Sequence, residues 1–153
     1  MTRGVDGFDD FAAEAGERLR RALVARFGVE VGNDVTDEAL VYAWEHWERL
    51  RALGNPVGYL YRVGQSAARR HARWHRAVRL PLETWSPEEP SADPGLAVAL
   101  ARLKPAQRTC IVLVHVYGWT YAETAAALEL TVAAVRNHLH RGLGRLRLEL
   151  EDE

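Results

Sequence analysis

Residues 120–148 place the tightest constraint on the fold, because they predict two short helices joined by a tight turn. Thr120 and Glu123 have the T-x-x-E spacing of a capping box, which satisfies free backbone amides where a helix begins. The first helix ends near Glu129, and Thr131 is an N-cap for the second. In the second helix apolar residues recur every three or four positions, which indicates one buried face. These residues are Val132, Val135, Leu139, Leu143 and Leu146.

The remaining positions of the second helix carry hydrogen-bond donors. They are Arg136, Asn137, His138, His140, Arg141, Arg145 and Arg147. A helix-turn-helix places the N-terminal half of its second helix in the DNA major groove, where side chains contact base edges. The alternative is an ordinary helical hairpin with a solvated basic face. We favour DNA binding because two capped helices, a short turn and a donor-rich second helix occur together.

The net charge of −1 conceals an uneven charge distribution. Residues 62–79 carry 6 basic and 0 acidic side chains, and residues 101–148 carry 7 basic and 2 acidic ones. Between them, residues 80–100 carry 0 basic and 4 acidic side chains. Two basic blocks therefore flank an acidic spacer, and the near-zero total hides them.

Helical periodicity extends over most of the chain. It predicts helices over residues 8–27, 35–53, 56–77, 96–103 and 105–118, before the helix-turn-helix. Gly28 ends the first of these helices, and a short Gly-containing connector is expected up to Asn33. Asn33 or Asp34 would then cap the second helix, and Pro56 suits the first turn of the third.

Residues 80–94 contain four prolines and four acidic residues without helical periodicity, which predicts a Pro-rich acidic linker. It would join an N-terminal domain, residues 1–79, to a C-terminal domain, residues 95–153. No alternation typical of a strand persists anywhere. The predicted fold class is therefore all-α, with two small helical domains, of which the second is a helix-turn-helix.

The third predicted helix combines arginines with aromatic residues. Its arginines are Arg62, Arg69, Arg70, Arg73, Arg76 and Arg79. Aromatic faces such as those of Tyr59 and Trp74 can stack on unpaired bases while arginines hold phosphates. The alternative places the aromatic rings in the core and leaves the arginines solvated.

The second predicted helix has an acidic character. Its acidic residues are Asp34, Asp37, Glu38, Glu45 and Glu48. An acidic, partly apolar ridge suits a basic protein partner. The alternative is a solvated face whose acidic residues favour the N-terminal end of a helix.

Several other functions are disfavoured by the sequence. The single cysteine, Cys110, excludes an internal disulfide, and its apolar neighbours predict a buried side chain. His71 with His75, and His138 with His140, lack the acid or cysteine that would complete a tetrahedral metal site. We therefore expect no metal, no cofactor and no enzymatic activity. No signal peptide or segment of membrane-spanning length is found, so we expect a cytoplasmic protein.

The order of these segments resembles the extracytoplasmic-function (group 4) sigma factors of the sigma-70 superfamily. DEALVYAWEHW at 37–47 is similar to their polymerase-clamp helix, and NPVGYLYRVGQSAARRHAR at 55–73 to their promoter-melting helix. LARLKPAQRTCIVLVHVYGWTYAETAAALELTVAAVRNHLHRGLGRLR at 100–147 resembles their upstream-element reader. Together these segments cover nearly the whole chain.

The resemblance implies three sets of site residues. The residues expected to bind the polymerase clamp are Asp34, Asp37, Glu38 and Trp44. The residues expected to grip and melt the −10 element are Asn55, Tyr59, Arg62, Arg69, Arg70 and Arg73. The residues expected to bind the duplex −35 element are Thr131, Arg136, Asn137, His138, His140 and Arg141.

The resemblance also implies partners: core RNA polymerase, promoter DNA and, in many members, an anti-sigma factor. The acidic linker would pass through the RNA exit path. Some positions depart from the family pattern, including Asp37 in the clamp helix, Tyr59 in the melting helix, and Gly142 and Gly144, which are expected to soften the end of the recognition helix. The alternative function is a stand-alone helix-turn-helix regulator that keeps this fold.

Overall fold

The computed structural model describes residues 7–74 and 94–152, with side chains for residues 7–72 and 95–152. All regular structure in these ranges is helical, which confirms the all-α prediction. The helices are α1 (Phe8–Phe27), α2 (Val29–Glu45), α3 (Trp47–Leu50), α4 (Pro56–Trp74), α5 (Pro94–Arg102), α6 (Pro105–Ile111), α7 (Tyr121–Leu128) and α8 (Val132–Glu151). A π-helical turn, Val112–Val116, continues α6. The predicted linker lies outside the described residues, except Pro94, which begins α5.

The predicted connector between the first two helices is wrong. Gly28 has a φ of 90° and donates its backbone N–H to the Val24 carbonyl at 2.8 Å, and α2 begins at the next residue, Val29. A glycine at positive φ turns the chain without a Cβ penalty, so no longer connector is needed. Asn33 lies inside α2 and caps nothing at its start. Its Oδ1 accepts a hydrogen bond from Arg20 Nη1 at 2.9 Å, which joins α2 to α1.

The second helix also ends earlier than predicted, at Glu45 instead of near residue 53. The helical geometry breaks at His46, which has φ −116° and ψ 24°. His46 Nδ1 lies 2.9 Å from the Tyr42 carbonyl oxygen, which also accepts the His46 backbone N–H at 3.0 Å. The short α3 follows and directs Trp47 into the core. There its ring centroid lies 5.5 Å from that of Phe8 and 5.0 Å from that of Phe11.

The helix-turn-helix is confirmed, including both predicted caps. Thr120 Oγ1 accepts the Glu123 backbone N–H at 3.0 Å, and Thr131 Oγ1 accepts the Ala134 backbone N–H at 3.0 Å. Between the helices, Glu129 takes the left-handed conformation with φ 52° and ψ 45°. α8 continues through Gly142 and Gly144 to Glu151.

The hydrophobic core is continuous across the two halves of the chain. α1 to α4 supply its N-terminal part, including the fully buried Leu23 and Leu60. α5 to α8 supply its C-terminal part, including Leu113 and Val135, and belong to the same cluster. Among the described helices, none is both long and apolar enough to cross a membrane.

Candidate nucleic-acid interface

The predicted −35 residues lie together in the N-terminal half of α8 and at its cap. Val135 and Leu139 are buried and hold this half against the core. On the other side the exposed members are Thr131, Arg136, Asn137, His140 and Arg141, and His138 is half-buried. The Thr131 hydroxyl accepts the capping hydrogen bond from the Ala134 amide. The remaining exposed side chains form a donor surface that could meet base edges and phosphates.

The predicted −10 residues lie on α4 and on Asn55 just before it. Arg62, Arg69 and Arg70 are exposed, whereas Tyr59 is half-buried. The Tyr59 hydroxyl lies 3.2 Å from the Tyr42 hydroxyl, and the two rings stack at a centroid distance of 6.2 Å. This hydrogen bond raises the pKa of Tyr42. The side chain of the remaining member, Arg73, lies outside the described part of the chain.

The predicted polymerase-binding residues differ in which side chains they contact. Asp34 and Trp44 are exposed, Trp44 with 57% of its surface accessible. Asp37 is also exposed and lies 3.4 Å from Arg20 Nη2.

Glu38 instead contacts α4. Its Oε1 lies 2.7 Å from His71 Nε2, and its Oε2 lies 3.5 Å from Arg70 Nη2. One predicted polymerase contact therefore pairs with a predicted DNA contact, so these two sets are adjacent.

Two predicted −10 residues contact the helix-turn-helix itself. Asn55 Nδ2 donates to the Ala126 carbonyl at 2.6 Å, and Arg62 Nη1 lies 3.0 Å from Glu129 Oε2. Ala126 lies in α7, and Glu129 forms the turn between α7 and α8. We call this junction between α1 or α4 and the C-terminal helices the seam. Sequence reasoning missed it.

Arg108 is the most buried charged residue of the seam, with 4% of its surface accessible. Its guanidinium donates to the Ala25 carbonyl at 3.1 Å, to the Arg26 carbonyl at 2.9 Å and to the Ala101 carbonyl at 3.4 Å. Ala25 and Arg26 lie in the last turn of α1, where carbonyls lack helical partners. Burial lowers the pKa of Arg108. An arginine within the buried run of α6 was the one sequence signal that pointed to this contact.

Further contacts extend the seam along α1. Arg18 Nη2 lies 3.3 Å from Glu123 Oε2, and the Arg18 guanidinium carbon lies 4.8 Å from the ring centroid of Trp119. One turn further on, the guanidinium carbon of Arg21 lies 4.6 Å from the ring centroid of Tyr117. Cation–π contacts of this kind attract the arginines of α1 to the aromatic rings of the C-terminal half.

Two buried titratable groups from the two halves lie close to each other. Burial raises the pKa of the Cys110 thiol to about 11, which agrees with the predicted burial of this residue. Burial also raises the pKa of Tyr61 on α4 to about 12, and the nearby Cys110 contributes to that shift. Within residues 7–74 and 94–152, no group of three or more His, Cys, Asp or Glu side chains could hold a metal ion.

Comparisons with known proteins show which family this chain is similar to. Residues 95–146 match the family model of sigma-70 region 4. The chain is 35% identical over 151 residues to the ECF RNA polymerase sigma factor SigD of Mycobacterium bovis, covering 87% of this chain and 69% of that relative.

Two solved structures are similar along almost the whole chain. The sigma factor RpoE from Bartonella quintana, solved in complex with the anti-sigma factor NepR, superposes with a TM-score of 0.68 at 20% identity, covering 96% of this chain and 98% of that one. CnrH, solved with the cytosolic domain of CnrY, superposes with a TM-score of 0.62 at 25% identity, covering 99% of this chain and 94% of that one. The sequence relationship, together with this fold, places the chain among the extracytoplasmic-function sigma factors of RNA polymerase, with a role in transcription initiation.

Proposed function

We propose that this sigma factor binds core RNA polymerase and selects promoters by recognising a −10 and a −35 element. Residues 1–79 would bind the polymerase clamp and melt the −10 element, residues 95–153 would bind the −35 element, and residues 80–94 would link them. The observation that carries the proposal is the donor surface on α8, which lies within the segment matched by the region 4 model.

Recognition of the −35 element would use the N-terminal half of α8 in the major groove. Arginine can donate two hydrogen bonds to guanine, and asparagine can form a similar pair with adenine. Arg136, Asn137 and Arg141 are exposed on this half of the helix and suit such contacts. The half-buried His138 and the exposed His140 would support contacts to the DNA backbone. Thr131 would hold the start of the helix at the DNA.

The −35 assignment is tested by Arg136→Ala and Arg141→Ala, with Arg147→Ala as the matched control. Arg147 is exposed on the same helix but lies beyond the proposed reading half. Each of the first two changes should reduce promoter-directed transcription by about fivefold or more, because a good bidentate base contact contributes about 1–3 kcal/mol of discrimination. Binding to core polymerase should stay unchanged. Normal promoter use by both variants would exclude the assignment.

Melting of the −10 element would use the basic surface of α4. Arg62, Arg69 and Arg70, with Arg73, would hold phosphates of the non-template strand, while Tyr59 and Asn55 would contact unstacked bases. This combination of cations and an aromatic ring is typical of single-strand binding.

Binding to the polymerase clamp would use the outer face of α2. Asp34, Asp37 and Trp44 are exposed there, and an exposed tryptophan beside carboxylates suits a basic protein surface. Glu38 would contribute from the side that faces α4. Because its partner is the polymerase, we propose that the protein acts in the cytoplasm. RpoE was solved with the anti-sigma factor NepR, and we propose that an anti-sigma factor likewise regulates this chain.

The decisive experiment mixes the purified protein with bacterial core RNA polymerase and analyses the mixture by size-exclusion chromatography. Co-elution is expected for the wild type and should weaken in the double variant Asp34→Ala/Asp37→Ala. The matched control is Asp9→Ala/Asp10→Ala, which removes two exposed carboxylates from the first turn of α1. Tight binding of duplex DNA by the protein alone, without co-elution, would instead support a stand-alone helix-turn-helix regulator.

A further inference from the structure

The C-terminal half of α8 has an exposed face that points away from the core. Its four members are Arg141, Gly144, Leu148 and Glu151, which lie on one side of the helix because three, four and three positions separate them. We call these residues the outer face of α8. Leu148 is its large apolar residue, with 58% of its surface accessible. A single exposed leucine is ordinary on a protein surface, so its neighbours decide whether this face binds a partner.

Gly144, one turn before Leu148, is not required by packing within the described chain. A Cβ atom at the nearby Gly142 would lie 2.8 Å from Ile111 Cδ1, so that glycine is needed where α8 packs on α6. A Cβ atom at Gly144 would meet nothing within 4 Å of it in the described structure. Glycine destabilises a helix relative to alanine, and here it leaves bare backbone at the surface. Bare backbone beside an exposed leucine allows a second helix to approach closely.

The two ends of the outer face carry opposite charges. Arg141 precedes its apolar centre, and Glu151 follows it. Within the part of the chain that the structure describes, neither side chain forms an ion pair, whereas Arg145 and Glu149 next to this face pair at 3.0 Å. Glu151 also lies near the negative C-terminal end of α8, whose last turn holds no basic residue. A cation from another molecule would therefore be favourable at Glu151, and an anion at Arg141.

A second copy of the same helix, running antiparallel, matches these positions. Arg141 and Glu151 are equally far from position 146, and so are Gly144 and Leu148. An antiparallel copy aligned on that position places each Leu148 over the other copy's Gly144, and each Arg141 beside the other copy's Glu151. Two-fold symmetry forms every contact twice. Spacings of three and four residues are also those of the contact line of a coiled coil. A parallel copy would instead bring like charges together.

We propose that two copies of this chain associate through the outer faces of α8, antiparallel, with Leu148 of each copy over Gly144 of the other and Arg141 of each copy beside Glu151 of the other. The contact covers about three helical turns, roughly 16 Å of helix. This is smaller than the interfaces of stable complexes, which bury about 1,200–2,000 Å², so we expect a reversible dimer with a dissociation constant of about 10–100 µM.

Pairing would also affect the surface that the proposed function assigns to −35 DNA. Arg141 belongs to that surface, so a paired molecule would not present this part of α8 to a promoter. This consequence rests on the proposed function, whereas the pairing itself does not.

The main test is sedimentation equilibrium of wild type and Leu148→Glu, over about 5–500 µM protein to bracket the expected dissociation constant. Leu150→Glu is the matched control, because Leu150 is 41% exposed in the same part of the chain but lies on another side of α8. Wild type should show a monomer–dimer equilibrium. Leu148→Glu should weaken it by about tenfold or more, since it places two carboxylates in the apolar centre. Leu150→Glu should leave it within about twofold of wild type. Circular dichroism of each variant establishes that the helices are retained.

A charge exchange tests the antiparallel register. At low salt, Arg141→Glu and Glu151→Arg should each weaken pairing by about fivefold or more, because each change creates two like-charge contacts in a symmetric dimer. The chain with both changes should pair within about threefold of wild type, since both ion pairs then form with their signs reversed. Arg136→Glu is the control, because it makes the same charge change on α8 outside the outer face and should leave pairing unchanged.

The outcomes separate this proposal from the proposed function, because pairing is measured without polymerase or DNA. A wild type that stays monomeric at every concentration would overturn the proposal even if it co-elutes with core polymerase, and would leave the outer face to a different protein. Equal pairing by wild type and Leu148→Glu would overturn it as well. Failure of the combined charge exchange to recover pairing would exclude the antiparallel register. If the chain pairs as described but does not co-elute with polymerase, the pairing stands and the sigma function fails.

Discussion

At the scale of single residues, Arg108 shows how one buried charge can connect two parts of a chain. A guanidinium has five N–H donors, and burial without acceptors would be costly. Here the acceptors are main-chain carbonyls, two of which belong to the end of α1. Those carbonyls also lack helical partners, so the guanidinium and the carbonyls satisfy each other's hydrogen-bonding groups.

Arg108→Lys should therefore destabilise the protein. Lysine keeps the charge but cannot present the planar fork that reaches three carbonyls. We expect the free energy of unfolding to fall by about 1.5–3 kcal/mol, measured by urea denaturation at neutral pH. Arg147→Lys, at an exposed position of α8, should change it by less than about 0.5 kcal/mol. Equal stabilities of the two variants would show that the three hydrogen bonds contribute nothing measurable.

Cys110 gives a pH dependence that can be attributed to one residue. The pKa of its thiol is about 11 in the folded protein, against an ordinary value of 9.0, because burial disfavours the thiolate. The unfolded chain therefore loses this proton first, and the resulting stability is present below pH 9 and is lost as the pH rises to 11.

From pH 8 to pH 10, wild type should lose about 1 kcal/mol more unfolding free energy than Cys110→Ala. Urea denaturation at the two pH values measures this difference. Tyr61 adds little to this difference: it is present in both proteins, and its folded pKa of about 12 lies so far above pH 10 that losing the contribution of Cys110 hardly changes its protonation. Identical losses in the two proteins would indicate that the thiol is not buried in solution.

At the scale of elements, local rules predicted where helices begin far better than how they connect. Thr120, Thr131 and Pro56 begin their helices as the sequence indicated, because capping and proline geometry depend on a few neighbouring residues. The start of α2 and its break at His46 were not predictable in this way. The start of α2 depends on contacts with α1, such as that between Asn33 and Arg20. The break depends on the His46 side chain, which lies against the Tyr42 carbonyl.

The N-cap of α8 allows a prediction about the stability of a whole helix. Thr131→Ala removes the acceptor of the Ala134 amide and should lower the free energy of unfolding by about 1 kcal/mol. Thr131→Ser keeps a hydroxyl acceptor and should restore most of that loss. Thermal or urea unfolding of the three proteins measures the effect. Equal destabilisation by serine and alanine would indicate that the methyl group, and not the cap, matters.

At the scale of the whole molecule, the surfaces that would bind DNA were identifiable from sequence, but their mutual contact was not. The donors of α8 and the arginines of α4 follow from residue type and helical period. The seam depends on residues far apart in the chain, such as Asn55 with Ala126 and Arg62 with Glu129. No local pattern encodes such pairs, because Asn55 has an equally good local role as a cap, and Arg62 and Glu129 have one as solvated charges.

The continuous core predicts how the molecule unfolds. Since one cluster includes buried residues from both halves, wild type should unfold in a single cooperative transition in scanning calorimetry. A Cβ atom at Gly58 in α4 would lie 2.7 Å from the Ala126 carbonyl oxygen, so Gly58→Ala should weaken the contact between the halves and divide this into two overlapping transitions. A Cβ atom at Gly144 would meet nothing within 4 Å, so Gly144→Ala should keep the single transition. It should also raise the midpoint, because alanine favours the helix over glycine. Two separate transitions in wild type would mean that the halves are stable independently and that the seam couples them only weakly.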